Sequence, residues 1–379
     1  MSLRNVTNKK MQKVAFVAEG YGPYRVPFWN ELGRRVDLSV LLLGKVEKGR
    51  DWKVKLNEIE VNLVTLDAPQ FVVRSIEWAV YFTYRKVHSA LTRLAPDAVV
   101  IGGWASPGYW AARSWALRRG TPMVFWSESH RLSTRTHRWR FLNAIKRYFL
   151  KPFDTFYAFS PLSAEYLLGF GVDSRRIVLS YNLPNIAAFP RCDRIGNTAE
   201  PTLLHVGRLI ANKGLLQLFD ALGRLTQRPW RLLIVGAGPL EPKLRERAKL
   251  NGFAERIEFL GYIQQDDMNR IYRRADVLLF PTLNEVWGLV LHEGFLSGTY
   301  AVASDRAAAS YALLRPGENG EMVSPRDVGA LASAIGRALD RHPFDREAIR
   351  RTVSHITLGE EVAKLVDAIR VAVASHVHA

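Results

Sequence analysis

The sequence predicts an α/β protein of two Rossmann-like, doubly wound domains that face each other across a cleft. Three observations carry this. Strand-length apolar runs alternate with amphipathic helical stretches through the first half, the alternation halts in a proline-bearing segment, and it then restarts. The length of 379 residues also exceeds the roughly 250 to 300 at which a single core stops growing. Such alternation implies parallel sheets covered on both faces, with ligands outside the carboxyl ends of the strands.

In the first half "KVAFVAEG" reads as a buried strand, "VPFWNELGRR" as a helix and "VDLSVLLLG" as a strand. "SIEWAVYFTYRKVHSALTRL" reads as one longer amphipathic helix. "DAVVIGG" is a strand, "SPGYWAARSWALRRG" a helix closed by Gly120, and "TPMVFWSES" a strand. "FDTFYAFS" and "RRIVLSYN" add strands on either side of "PLSAEYLLGFG", with Gly171 as its stop. Between Tyr181 and Pro201 three prolines and no sustained period mark an interdomain linker. The second half then runs "TLLHVGRL", helix, "WRLLIVGAG", helix, "RIEFLG", helix, "DVLLFPT", helix, "YAVASD". The domains are therefore 1–185 and 201–355, joined by 186–200. A last helix in 356–379 is free by pattern to cross back to the first domain.

Composition narrows the class. With 48% hydrophobic and 23% charged residues the chain is ordinary globular material. The lone Cys192 excludes an internal disulfide framework and fits a reducing compartment. A polar start without a signal-peptide pattern, and no run of eighteen apolar residues, predict a cytoplasmic protein without a spanning helix. The net charge of +17 is concentrated: residues 1–190 hold 28 Lys and Arg against 14 Asp and Glu. A polyanionic partner follows, either nucleic acid or an anionic membrane. The run after His130, "RLSTRTHRWRFLNAIKRYFLKP", carries seven Lys and Arg and no acid, interleaved with aromatic and aliphatic residues. It reads as membrane-surface material on the inner face of the plasma membrane, or as an amphipathic helix covering the first sheet. No nucleic-acid motif accompanies the charge, so no nucleic-acid partner is predicted.

Chemistry gathers at the strand ends of the second half. "HVGRLIANKG" places Gly207, Arg208 and Lys213 beside a helix start, either a phosphate grip or a solvated basic loop. "VGAGP" supplies Gly236 and Gly238, weak evidence alone because any tight turn uses glycine. "NEVWGLVLHEGF" holds Glu285 and Glu293 eight residues apart, off a common helical face. If both meet one ligand, Glu285 lies in the loop and Glu293 in the early helix, with Gly288 letting backbone N–H groups approach a diphosphate. Two carboxylates bracketing a phosphate suit a ribose on one side and a sugar on the other. Solvated acids near a helix N-terminus are the plainer alternative.

In order, GR-x4-KG, V-G-x-G-P, F-L-G-Y, A-D-V-x-x-F-P-T and E-x7-E resemble the retaining glycosyltransferase family 4, which has the GT-B fold. The opening "FVAEGYGPYRVPFWNEL" looks like bacterial polysaccharide- or lipopolysaccharide-assembly members. The resemblance implies a metal-independent enzyme with no cofactor, moving a hexose-type sugar from a nucleoside-diphosphate donor to a lipid-linked or polysaccharide acceptor. It implies that Arg208 and Lys213 bind the diphosphate, Glu285 the transferred sugar and Glu293 the ribose. Backbone near Tyr262 and Ile263 would meet the base, Thr282 and Trp287 to Leu289 would line the pocket, and Gly20 and Gly22 would border the diphosphate. No D-x-D occurs in the chain, in agreement with a metal-independent reaction. One departure is at the strand end after "PMVFWS", where Glu128 replaces the usual histidine and His130 follows; both are candidate proton carriers or sugar ligands. Rival readings are a same-fold nucleotide-sugar epimerase and a NAD-type oxidoreductase, the latter weakened by Glu241 where G-x-G-x-x-G needs its third glycine.

Overall fold

A computed structural model describes residues 11–44, 56–66, 70–73, 78–81, 83–133, 140–196 and 200–377. The first domain holds β1 (Lys13–Ala18), α1 (Val26–Gly33), β2 (Asp37–Leu42), β3 (Asn62–Thr65), β4 (Gln70–Val73), β5 (Trp78–Tyr81) and α2 (Tyr84–Leu94). It continues with β6 (Ala98–Ile101), α3 (Pro107–Arg119), β7 (Met123–Ser127), α4 (Arg140–Leu150), β8 (Thr155–Ala158), α5 (Pro161–Leu168) and β9 (Ile177–Leu179). The second holds β10 (Thr202–Val206), α6 (Leu215–Gly223), β11 (Arg231–Val235), α7 (Glu241–Leu250), β12 (Ile257–Gly261), α8 (Gln265–Arg273) and β13 (Val277–Phe280). It ends with α9 (Leu289–Leu296), β14 (Tyr300–Ser304), α10 (Ala308–Leu313), β15 (Gly320–Val323), α11 (Val328–Arg341), α12 (Arg346–Arg351) and α13 (Leu358–Val377).

Both sheets are parallel, as the alternation predicts. Their orders are β3-β2-β1-β6-β7-β8-β9 and β12-β11-β10-β13-β14-β15. Strand order therefore reverses between β1 and β6 in one sheet and between β10 and β13 in the other. At each reversal neighbouring loops part in opposite directions, which opens a crevice at the carboxyl ends. β1 is buried on both faces: Val14 and Phe16 join one core, Ala15 and Val17 the other.

One predicted helix is wrong. The stretch 75–94 is not continuous: β5 pairs antiparallel with β4, and the helix starts only at Tyr84. Aromatic and β-branched residues in "WAVY" match a pleated pair as well as a helical face, and spacing alone did not separate the two. Residues 74–77 and 82 lie outside the described ones. The helix ends where Ala95 turns left-handed (φ 43°), ahead of Pro96.

The linker is strapped to the second domain. Arg194 donates to Asp276 through Nε at 2.8 Å and Nη2 at 3.1 Å, and Asn269 Nδ2 donates to Arg191 O at 2.9 Å. From the far end of the chain α13 returns to the first domain, packing on α1 and on β7 and β8. Tyr157 donates to Glu361 O at 2.6 Å and Thr155 to Ala368 O at 3.1 Å. The buried Glu361 carboxylate accepts from Ser180 Oγ (2.5 Å), Tyr181 N (3.1 Å) and Lys364 Nζ (2.6 Å). A buried charge so fully bonded fixes the helix in one register. Among the described residues no helix is long and apolar enough to cross a membrane.

Candidate functional site

The two crevices face one another around a cavity of about 620 Å³. Its first wall comes from the loops after β1 (Glu19 to Arg25), β6 (Gly102) and β7 (Glu128), with Tyr109 and Asn182. Its second wall comes from the loops after β10 (Gly207, Arg208), β11 (Gly236), β12 (Tyr262, Ile263) and β13 (Glu285 to Val290), with Lys213 and Glu293.

On the second wall the Glu285 loop is built to stand still. Leu283 N donates to Asn212 O at 2.9 Å, Asn212 Nδ2 to Asn284 O at 2.8 Å, and Glu285 N to Arg306 O at 3.3 Å. Lys213 Nζ is ion-paired with Glu285 Oε2, both side chains being mostly covered. Gly288 then starts α9 with φ 106°, and a Cβ there would sit 2.7 Å from the Phe280 ring. Only glycine meets both demands. Glu293 follows in the second turn of α9, where Tyr272 donates to Oε2 at 2.8 Å. Burial raises the Glu293 carboxyl to about 7, outweighing the opposing hydrogen bond. Beneath the wall, His205 donates from Nδ1 to Leu279 O at 3.1 Å; burial lowers its pKa to about 4, so it ties β10 to β13 as a neutral ring.

On the first wall Glu128 is held at one oxygen. Its Oε1 accepts from Trp126 Nε1 at 3.0 Å and is ion-paired with Arg25 Nη2. Although burial works against the Arg25 charge, Glu128 and Tyr24 hold its pKa above the ordinary value. The same pattern recurs across the cavity: Glu128, Glu285 and Glu293 each have one oxygen anchored by a protein donor. Among the described residues the other oxygen of each has no hydrogen-bond partner. Three carboxylates so arranged are oriented acceptors for hydroxyl groups.

Fourteen of the predicted site residues line this cavity, and three do not. Gly238 packs instead against Leu209, whose carbonyl oxygen would lie 2.5 Å from a Cβ, so it serves the approach of two loops. Buried Thr282 supports the Glu285 loop, its Oγ1 lying 3.2 Å from Asn212 O and from Asn284 O. His130 is fully buried between the domains, and its Nε2 lies 3.0 Å from Glu285 O and 2.9 Å from Val286 O. Two carbonyl acceptors require a proton on Nε2, so this ring is a donor that ties the first domain to the Glu285 loop. Its pKa is lowered by burial. Sequence reasoning missed Arg25. A cation closing the loop after β1, where strand order reverses, was the available signal.

This geometry defines a two-domain α/β protein with a cleft between its domains, and comparison names the family. Residues 19–182 match the model described as "Glycosyl transferase 4-like domain", and residues 200–341 match "Glycosyl transferases group 1". Together the two models account for most of the chain, which belongs to the family 4 type of GT-B glycosyltransferases. Glycogen synthase of Mycobacterium tuberculosis is 31% identical over 173 residues, which is 45% of this chain and 42% of that protein. The alignment thus spans about two fifths of that relative. Among solved structures, Anabaena HepE in complex with UDP aligns at TM-score 0.74 and 15% identity, over 94% of this chain and 99% of that one. The lipopolysaccharide outer core galactosyltransferase WaaB aligns at 0.72 and 18%, over 94% and 99%.

Two measurements check these assignments. His130→Ala is expected to lower kcat about tenfold while leaving nucleotide affinity near wild type, with His130→Gln recovering part of the loss because its amide still donates. Steady-state kinetics beside nucleotide titration decide it; equal loss of nucleotide affinity would count against a latch. For Glu293, the folded state binds the proton more tightly than the unfolded chain. Its contribution is therefore full below the ordinary carboxylate value and is lost as pH rises toward about 7. Urea denaturation across that window should show wild type losing on the order of 2 kcal/mol relative to Glu293→Gln, and parallel curves would refute the shift.

Proposed function

We propose that the protein transfers a hexose-type sugar, with retention, from a nucleoside-diphosphate donor to a lipid-linked or polysaccharide acceptor in bacterial surface-glycan synthesis. The observation that carries this reading is the cleft itself. Arg208, Lys213 and the start of α9 lie on one wall beside Glu285, opposite the separate carboxylate Glu128. On this reading the two cations and the N–H groups of Gly288 and Leu289 at the start of α9 take up charge as the nucleoside diphosphate departs. That stabilisation grows toward the transition state and needs no metal ion. Glu285 accepts hydroxyls of the transferred sugar, and Glu293 accepts those of the ribose. Backbone at Tyr262 and Ile263 meets the base, and Gly20, Gly22 and Gly207 leave room for the phosphates. The UDP bound by Anabaena HepE and the likeness to the lipopolysaccharide outer core galactosyltransferase WaaB support a nucleotide-sugar donor and a surface glycan.

The acceptor side carries a membrane proposal. α4 exposes Phe141 (71%) and Tyr148 (61%) beside exposed Arg140, Arg147 and Lys151. The basic aromatic run is not all surface, however. Phe149 and Leu150 are core, and Lys146 is buried with Nζ 4.2 Å from the Tyr166 ring centroid, where burial brings its pKa down to about 7. Residues 134–139 of the run lie outside the described ones. The exposed face fits an anionic leaflet, each basic residue contributing about 1 kcal/mol there. A cytoplasmic enzyme peripheral on the inner membrane face follows.

Incubation with a panel of nucleotide sugars and membrane extract should release nucleoside diphosphate, and Glu285→Ala should cut that release by about 100-fold or more. No turnover of any donor, or an unaffected variant, would sink the transferase reading. Co-sedimentation with vesicles should rise with anionic lipid and weaken with salt, and Phe141→Ser with Tyr148→Ser should reduce it. Binding indifferent to lipid charge would remove the membrane proposal.

A further inference from the structure

Behind the second wall of the cleft stands a buried polar atom that the site has not yet used. His205 is 1% exposed, and its Nδ1 proton goes to Leu279 O at 3.1 Å. Because a carbonyl only accepts, that bond leaves Nε2 of the neutral ring as a lone-pair acceptor, and among the described residues it has no hydrogen-bond partner. A buried polar atom left bare costs free energy, so it calls for a use. The nitrogen borders the site. An ideal Cβ built on Gly207 would lie 3.4 Å from Nε2 and 3.8 Å from Lys213 Cε, so both side chains flank the space that this glycine leaves open. The Lys213 ammonium has three protons to donate, and among the described residues Glu285 is the acceptor it is bonded to. Gly207, Lys213 and Glu285 all line the cavity.

From this we infer that His205 is a positioning residue for the donor: its Nε2 receives one N–H of the Lys213 ammonium when that ammonium turns from Glu285 to a nucleoside diphosphate, and so holds the cation against the phosphates. The inference rests on the nucleotide-donor reading and adds to it the residue that seats the lysine. A flexible four-carbon stem lets an ammonium swing between acceptors, so the protein must supply each seat. Glu285 supplies the first. A second carboxylate behind the phosphates would compete with them for the charge, and a second cation would repel it. A neutral imidazole orients the ammonium and does neither. Burial keeps the ring neutral, with its pKa lowered to about 4, and the Lys213 charge acts in the same direction. The tie to Leu279 uses the Nδ1 proton alone, which a side-chain amide could equally donate. The second ring nitrogen is accounted for by the donor that borders it.

Calorimetric titration with UDP, GDP and ADP and with the matching monophosphates tests this. Wild type should bind at least one diphosphate. His205→Asn keeps an N–H for Leu279 O and removes the acceptor at the Nε2 position, so it should weaken that diphosphate about tenfold and leave the monophosphate near wild type. His205→Gln carries its amide oxygen out to the Nε2 position and should recover most of the loss. In a Lys213→Met background the His205→Asn change should cost nothing further. One readout needs no variant to fold: in wild type with histidine labelled for nitrogen NMR, the His205 Nε2 resonance should move upfield on adding the diphosphate and hold still with the monophosphate. An unmoved resonance, equal losses for diphosphate and monophosphate, His205→Gln no better than His205→Asn, or a further loss in the Lys213→Met background each overturns the inference. Wild type that binds no nucleotide strikes the donor reading itself, whereas diphosphate binding indifferent to His205→Asn strikes the lysine seat alone.

Discussion

The site depends on holding the Glu285 loop from both domains at once. From its own domain the loop is bonded through Asn212 and Arg306, and from the other His130 reaches two consecutive carbonyls with a single N–H. Backbone carbonyls are the right target for such a tie, because they remain acceptors at every pH and leave the Glu285 side chain free for other work. The fully buried ring also brings neighbouring segments together: β7 leads into Glu128 and His130, two residues apart, one turned to the cavity and the other to the latch. Closing the domains therefore fixes the distance between the carboxylate of one wall and that of the other. An active site assembled from two bodies needs such a shared element, since geometry loose by about 1 Å can cost two orders of magnitude in rate.

The covalent path reinforces this. The chain crosses between domains once in the linker and again before α13, and both crossings end in buried, heavily bonded side chains. Arg346 donates to the carbonyls of Cys192, Ala275, Tyr272 and Ser297, pinning the linker and the start of α12 to the segments that lead into β13 and β14. Glu361 does the corresponding work on the first sheet with Ser180, Tyr181 and Lys364. Charged groups are costly in these places unless fully bonded.

Much of this was legible in the residues, for identifiable reasons. Parallel strands buried on both faces announce themselves as apolar runs, so β1, β2, β10 and β13 stood out, and glycine at a strand end marked the loops that reach the cavity. The E-x7-E spacing was legible because a loop and a helix must divide the two acids between them. What failed was contact between segments distant in sequence. Nothing near His130 says that its ring meets the carbonyl of Glu285, 155 residues away, and nothing near Arg25 names Glu128 as its partner. The β4–β5 hairpin failed differently, because four residues of "WAVY" satisfy helical and pleated periods alike. α13 had an unmistakable helical pattern, yet its partner, the face of β7 and β8, is chosen only by the assembled sheet.

A last point follows from the half-bonded carboxylates. An ionised group in a low-dielectric cleft must be stabilised by something before the ligand arrives, or it takes up a proton. Glu285 and Glu128 solve this with one cation each, Lys213 and Arg25, whereas Glu293 has only the Tyr272 hydroxyl and its pKa rises accordingly. The first two thus face a cation before any ligand arrives, whereas burial leaves the third with a pKa of about 7. On the proposed reading the difference has a purpose. Lys213 is shared between Glu285 and an arriving diphosphate, so the donor draws the cation toward phosphate and turns Glu285 to the sugar. Glu293, with no cation to compete for, exchanges only hydrogen bonds with the ribose. One wall then couples phosphate binding to sugar orientation through a single lysine, and the other keeps Arg25 and Glu128 as a closed pair that donor charge does not disturb.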